Sequence, residues 1–235
     1  IALPGGCAIG TRPVNYHLDA LKQMGAQIVL KNGYIEASAK KLIGNNIRFG
    51  GVTVTGTENL IMAATLASGT TTLTNVAKEP EIIDLADMLN SMGAKISGAG
   101  TDQITIEGVE SLKGTEYSIP ADRIEAGTYL AAAAVTNGNI KIDGINPKRL
   151  MKVIYKLEDA GASIIYDENS ISISMKRERP KPVDITTAPF PEFPTDMQAQ
   201  FSVINAISTG RSNIYETVFE NRFMHILELN RMGCD

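Results

Sequence analysis

No tryptophan occurs in this 235-residue chain, and it has only two cysteines and two histidines. Cys7 and Cys234 stand near opposite ends. They are too few and too far apart for the disulfide framework of a small secreted domain, so reduced thiols and a cytoplasmic location are expected. With His17 and His225 as the only histidines and no CxxC or HxxxH spacing, no metal site is expected. No apolar run approaches the ~18 residues that cross a bilayer, so no membrane association is read. The balance of 22 Lys+Arg against 26 Asp+Glu is mildly acidic. No basic cluster interleaved with aromatics gives the electrostatic footprint of a nucleic-acid binder. Ile1 is followed by neither a cationic start nor an apolar h-region, so no signal peptide is read. The missing initiator Met points to a piece of something longer.

What is present is an ordinary globular composition, 43% hydrophobic and 20% charged, enough for one large domain or two small ones. A repeat runs along it. Leu21-Lys-Gln-Met24-Gly25-Ala26, Leu89-Asn-Ser-Met92-Gly93-Ala94, Leu157-Glu-Asp-Ala160-Gly161-Ala162 and Leu229-Asn-Arg-Met232-Gly233-Cys234 each close an amphipathic stretch, about every 70 residues. A second glycine recurs within the unit at Gly69, Gly138 and Gly210. Met24, Met92 and Met232 are read as core fillers repeated by this symmetry.

Apolar positions Ile82, Leu85, Ala86, Leu89 and Met92 fall on one helical face after Pro80. Leu150, Val153, Ile154 and Leu157 repeat the pattern after Pro147, and Val14, Leu18 and Leu21 after Pro13. Residues 59–67 and 125–135 are Ala-rich and apolar nearly all round, as helices enclosed in a core would be. Period-two alternation predicts strands at 103–107, 170–174 and 52–55. Lys31-Asn32-Gly33 and Asp167-Glu168-Asn169 read as hairpin turns, Asn-Gly favouring the positive φ angles of a type I′ turn. The fold class is α/β (α+β in some schemes), helices packed on mixed sheets in repeated units. The cleanest internal boundary falls at residues 118–121, and the basic, Pro-bearing segment 176–182 reads as a solvated linker.

Few residues could carry chemistry. Cys7 lies in a glycine-rich loop running into a helix near Arg12. It is either a packed small hydrophobe or a thiol of lowered pKa serving as nucleophile or general acid. Arg12 could join the helix N-terminus in an anion site. Pro189, Pro191 and Pro194 stiffen the chain before Thr195 and Asp196. Either residue could be a helix N-cap, or Asp196 a general base on a rigid loop. The polar segment from Glu216 to His225 reads either as capping and surface or as a functional connection between rigid elements.

Four strings carry a resemblance: Pro4-Gly-Gly-Cys7-Ala-Ile-Gly-Thr-Arg12-Pro13, Ala77-Lys-Glu-Pro80-Glu-Ile, Pro194-Thr-Asp196-Met-Gln-Ala-Gln-Phe201 and Glu216-Thr-Val-Phe-Glu-Asn-Arg222-Phe-Met-His225. Across its whole length the chain resembles the bacterial UDP-N-acetylglucosamine 1-carboxyvinyltransferase family, with Lys78 where some relatives carry Arg. The resemblance implies a transferase moving the enolpyruvyl group of phosphoenolpyruvate to the 3′-hydroxyl of UDP-N-acetylglucosamine, the committed step of peptidoglycan synthesis in cell-wall biogenesis. It implies two domains of βαβαββ units in an inside-out α/β barrel, truncated here at both ends. Residues 1–121 would be the later part of the domain bearing the cysteine loop, and 122–235 the first part of the second domain. No cofactor is implied.

By the same resemblance Cys7 protonates the phosphoenolpyruvate methylene, forms a covalent adduct with it and is alkylated by fosfomycin, while Asp196 acts as base. Arg12 would meet phosphate and uracil. Pro13, Val14, Asn15, Tyr16 and His17 would follow as the uridine stretch, Thr53 and Val54 would meet the diphosphate, and Val218 the nucleotide sugar. Thr195 and Arg222 would support the site without touching substrate. Gly51 stands where some relatives have a lysine beside the diphosphate. The N-terminal Lys-Asn pair and the C-terminal arginines that hold phosphoenolpyruvate are not in this sequence. The chain alone is therefore expected to be inactive and, with uncovered edges, to self-associate. Two other readings compete: the sister transferase acting on shikimate 3-phosphate, against which the cysteine loop and uridine stretch argue, and a silent paralogue that only binds the nucleotide sugar.

Overall fold

The computed structural model describes residues 1–2, 14–176 and 179–234. Cys7, Arg12 and Pro13 lie outside the described residues, as does part of the segment 176–182. The chain divides into two compact units, one running to Ile119 and the other starting at Pro120.

In the first unit α1 (Asn15–Gln23) leads into a hairpin of β1 (Gln27–Lys31) and β2 (Tyr34–Ser38). A complete βαβαββ run follows: β3 (Asn46–Arg48), α2 (Val54–Thr65), β4 (Thr70–Thr74), α3 (Pro80–Ser91), β5 (Lys95–Ser97) and β6 (Gln103–Glu107). Its sheet has the order β3-β4-β6-β5, with β3 and β4 parallel and the other neighbours antiparallel. The second unit holds α4 (Arg123–Val135), β7 (Asn139–Asp143), α5 (Met151–Asp159), β8 (Ala162–Tyr166) and β9 (Ser170–Met175), with sheet order β7-β9-β8. It closes with β10 (Ile185–Thr186), α6 (Gln198–Ala206), β11 (Ile214–Tyr215) and α7 (Met224–Arg231), β10 and β11 pairing in parallel.

The repeated glycines are helix stops. Gly25, Gly93, Gly161 and Gly233 all have φ between 93° and 103°, a left-handed conformation that costs glycine least. After α1 the Gly25 N–H donates to Lys22 O at 2.9 Å and the Ala26 N–H to Leu21 O at 3.0 Å, the paired bonds of a Schellman motif. Gly93 with Ala94 and Gly233 with Cys234 close α3 and α7 in the same way. The second glycine is less uniform: Gly69 and Gly210 have positive φ, but beside Gly138 it is Asn137, at φ 54°, that turns the chain. Asn32 at φ 51° and Gly33 at φ 78° join Lys31 to Tyr34, as a type I′ hairpin requires.

Each unit has its own core. Leu60, Ile61, Leu73, Ile82, Ile104 and Ile106 are fully buried in the first, and Leu130, Ile154, Leu157, Ile171 and Phe201 in the second. Each such side chain withdrawn from water contributes about 1.5–3 kcal/mol. Phe193 meets Phe201 edge to face with ring centroids 5.0 Å apart.

The structure corrects three sequence readings. Residues 52–55 are not a strand. Thr53 is the N-cap of α2, its hydroxyl accepting from the Gly56 N–H at 3.2 Å, and the short Val/Thr alternation is where a helix begins. The Ala-rich helices are not enclosed on all sides, because Met62 of α2 and Tyr129 of α4 are 49% and 59% exposed. Met232 is 79% exposed rather than core, since no residue of α7 is buried; the repeat keeps the residue type, and nothing described covers it.

Gly50 and Gly51, which connect β3 to α2, lie under Tyr16 of α1. A Cβ on Gly51 would stand 2.9 Å from the Tyr16 hydroxyl, and one on Gly50 3.2 Å from its ring. Tyr16 also packs edge-on to Phe49, with centroids 6.5 Å apart. A side chain at position 51 thus requires the Tyr16 hydroxyl to move aside. Gly51→Ala should cost about 1 kcal/mol with Tyr16 present and clearly less in a Tyr16→Phe background, because only the hydroxyl is in the way; a double-mutant cycle of urea midpoints measures the coupling. Gly108 is tighter still, its Cβ position lying 1.7 Å from the Ala67 carbonyl oxygen. Since backbone cannot swing aside, Gly108→Ala is expected to destabilise the chain by about 3 kcal/mol in the same assay.

Candidate functional site

The expected site residues fall in both units, and each set has its own local geometry. In the first unit Val14 is the N-cap of α1, and Asn15, Tyr16 and His17 form its first turn. Burial lowers the His17 pKa, which favours the neutral imidazole. Thr53 and Val54 form the start of α2, so the leading backbone N–H groups of a 12-residue helix and the positive end of its dipole lie at these two residues. The buried Thr57 fixes this turn, donating to Thr53 O at 2.7 Å and accepting from the Ala77 N–H at 3.1 Å. Further along α2, burial raises the Glu58 pKa, with Glu81 and Glu79 of the neighbouring segment adding to the rise.

In the second unit the chain from Pro189 to Pro194 delivers a short 3-10 turn, Thr195–Met197, directly before α6. Neither Thr195 nor Asp196 caps the helix with its side chain, which corrects that alternative. Both side chains bond across to the segment after β11. The Thr195 hydroxyl donates to Glu216 Oε2 at 2.8 Å, and Arg222 Nη2 donates to Asp196 Oδ1 at 2.7 Å. The tight approach of α4 helps to seat the turn, because a Cβ on Gly127 would stand 2.9 Å from Met197 Sδ. Gln200 of α6 also donates to the Thr128 hydroxyl of α4 at 2.8 Å.

The Asp196 side chain is 52% exposed and that of Arg222 17%. The guanidinium also lies 5.4 Å from the centre of the Phe219 ring, which makes it a fixed donor rather than a free surface charge. Arg222 holds the Asp196 carboxylate at Oδ1. The carboxylate therefore has one oxygen anchored on a side chain that is otherwise half-exposed. His225 of α7 stands 3.1 Å from the Ser202 hydroxyl of α6. Its pKa is lowered by burial, a hydrogen bond to the Arg222 backbone opposing and the Arg222 charge reinforcing the shift.

Of the expected residues in this unit, Thr195 and Val218 both bond to Glu216, while Asp196, next in the chain to Thr195, pairs directly with Arg222. Sequence reasoning gave Glu216 no role of its own. The signal available was an acid at the first position of an unusually polar connection, with two threonines upstream to donate to it. Among the described residues no group of His, Cys, Asp or Glu could hold a metal ion, and no helix is long and apolar enough to cross a membrane.

A family model described as EPSP synthase (3-phosphoshikimate 1-carboxyvinyltransferase) matches residues 1–235. The chain is 59% identical over 234 residues to the UDP-N-acetylglucosamine 1-carboxyvinyltransferase of Ruthia magnifica, covering 100% of this chain and 56% of that protein. It is 56% identical over 236 residues to the protein of that name from Coxiella burnetii, covering 54% of it. The chain thus spans about half the length of the curated relatives it matches. Among solved structures, the enolpyruvyl transferase NikO from Streptomyces tendae superposes with a TM-score of 0.82 at 22% identity, over 95% of this chain and 56% of that one. EPSP synthase from Acinetobacter baumannii superposes with a TM-score of 0.63 at 23% identity, over 99% and 56%. These two share the fold, and with a family model matched from end to end, the chain belongs to the EPSP synthase (3-phosphoshikimate 1-carboxyvinyltransferase) family.

Proposed function

We propose that the chain is an internal part of a cytoplasmic transferase that moves the enolpyruvyl group of phosphoenolpyruvate to the 3′-hydroxyl of UDP-N-acetylglucosamine, releasing phosphate in the first step committed to peptidoglycan. The acceptor follows the name of relatives 55–59% identical to the chain. The family description names the shikimate reaction, but the cysteine loop and the stretch from Arg12 to His17 favour the nucleotide sugar. The observation that carries the reading is the Asp196 carboxylate, held at Oδ1 by Arg222 at 2.7 Å on a stiff turn and half-exposed.

In this reading the 3′-hydroxyl gives its proton to Asp196 as its oxygen bonds to C2 of phosphoenolpyruvate, and Cys7 delivers a proton to C3. Loss of a methyl proton then expels phosphate and restores the double bond. Asp196 needs no helix or metal to act, only a carboxylate oxygen kept in hydrogen-bond reach of the hydroxyl. Thr53 and Val54 present backbone N–H groups at the start of α2 to the diphosphate. Val218 lines the sugar, and Arg12 to His17 the uridine. Residues to about 121 then belong to the domain bearing the cysteine loop, and those from about 122 to the next.

In the full-length enzyme, Asp196→Asn should keep the bond from Arg222, since the amide oxygen still accepts, while losing the base. Steady-state phosphate release is expected to fall by about a hundredfold or more, with binding of the nucleotide sugar by calorimetry little changed. Turnover within a few fold of the parent would remove Asp196 from the mechanism.

A further inference from the structure

Resting on that reading, we infer that Glu216 is the positioning residue that fixes the base and the nucleotide-sugar contact in one register. Its carboxylate accepts from four donors. Oε1 takes the Thr187 hydroxyl at 2.9 Å, the Val218 N–H at 2.8 Å and the Phe219 N–H at 3.1 Å, while Oε2 takes the Thr195 hydroxyl at 2.8 Å. These donors come from three separate segments: the chain after β10, the 3-10 turn that carries Asp196, and the loop after β11. The Thr187 side chain is fully buried, and its hydroxyl accepts from the Thr217 N–H at 2.9 Å while donating to Glu216. The anchor is therefore built into the core and does not depend on the surface.

The contacts close a circuit. Glu216 holds Thr195, whose neighbour Asp196 accepts from Arg222, which stacks on Phe219, whose N–H returns to Glu216. Asp196 is thus tethered through its carboxylate by Arg222 and through its backbone by Thr195. Val218, the expected sugar contact, hangs from the same carboxylate as Thr195. A shift at Glu216 moves both parts of the site, and in a positioned reaction small displacements cost rate. Glu216 touches no reacting atom in this arrangement and acts through its neighbours.

Three variants separate positioning from mere stability. Glu216→Gln can keep every link, its oxygen taking the Oε1 donors and its amide donating to a rotated Thr195 hydroxyl; Glu216→Ala keeps none; Thr195→Val removes only the tether to the Asp196 turn. In the full-length enzyme, Glu216→Ala is expected to lower kcat at least tenfold and raise KM for the nucleotide sugar. Thr195→Val should lower kcat about tenfold with KM nearly unchanged, and Glu216→Gln should stay within about threefold of the parent. Hydrogen exchange of the Val218 and Phe219 amides in the full-length enzyme gives a readout independent of turnover: protection lost in Glu216→Ala and retained in Glu216→Gln. Parental kcat in both Glu216→Ala and Thr195→Val would overturn the inference, as would Val218 and Phe219 protection that survives Glu216→Ala. A parent enzyme without transferase activity would instead retire the proposed reaction, leaving the exchange result to decide the tether.

Discussion

The hydrogen bond from Arg222 to Asp196, 2.7 Å long, is the contact on which the candidate site depends. A carboxylate on a short turn has no helix or strand to fix it, and an aspartate that rotates freely is a poor base. The arginine supplies direction: it is largely covered, braced over Phe219, and donates from a rigid planar group. With Asp196 half-exposed, the pair adds little to global stability. Its value is orientation, and the cost of holding it is met by the neighbouring Glu216 network.

That network in turn depends on parallel strands. β10 and β11 are only two residues long each, pairing Ile185 with Ile214 and Thr186 with Tyr215. This brief ladder sets Thr187 beside Glu216 and Thr217, from which the side-chain bonds continue where the backbone ladder stops. The same device recurs in the first unit, where β3 pairs in parallel with β4 and Gly50 and Gly51 carry the chain from β3 to the N-terminus of α2. In both places functional candidates sit just beyond a strand that alternates with helices, where loops on a rigid scaffold commonly carry chemistry.

Much of the fold was legible because the repeat writes its helix stops in glycine. The Gly-Ala closures gave the ends of α1, α3 and α5, Asn32-Gly33 gave the first hairpin, and period-two alternation gave β6 and β9. The failures have physical causes. Residues 52–55 alternate like a strand, yet a Thr followed by a buried helical face is also an N-cap, and periodicity over four residues cannot separate the two. Thr195 and Asp196 resemble caps for the same reason; long-range partners, Glu216 and Arg222, took their side chains instead. Glu216 carried only the weak signal of an acid opening a polar connection, since two of its four donors come from segments 21 and 29 residues away. Residue types recorded Asp196 and Arg222, but their pairing required the fold.

The central claim is that this sequence carries the thiol and the nucleotide-sugar site of an enolpyruvyl transferase. Intact mass spectrometry of the full-length enzyme after fosfomycin treatment, with and without UDP-N-acetylglucosamine and with a Cys7→Ala control, tests it most directly. The account predicts one adduct that requires Cys7 and increases with the nucleotide sugar. No adduct in either condition, with Cys7 still labelled by a generic thiol reagent, would contradict it.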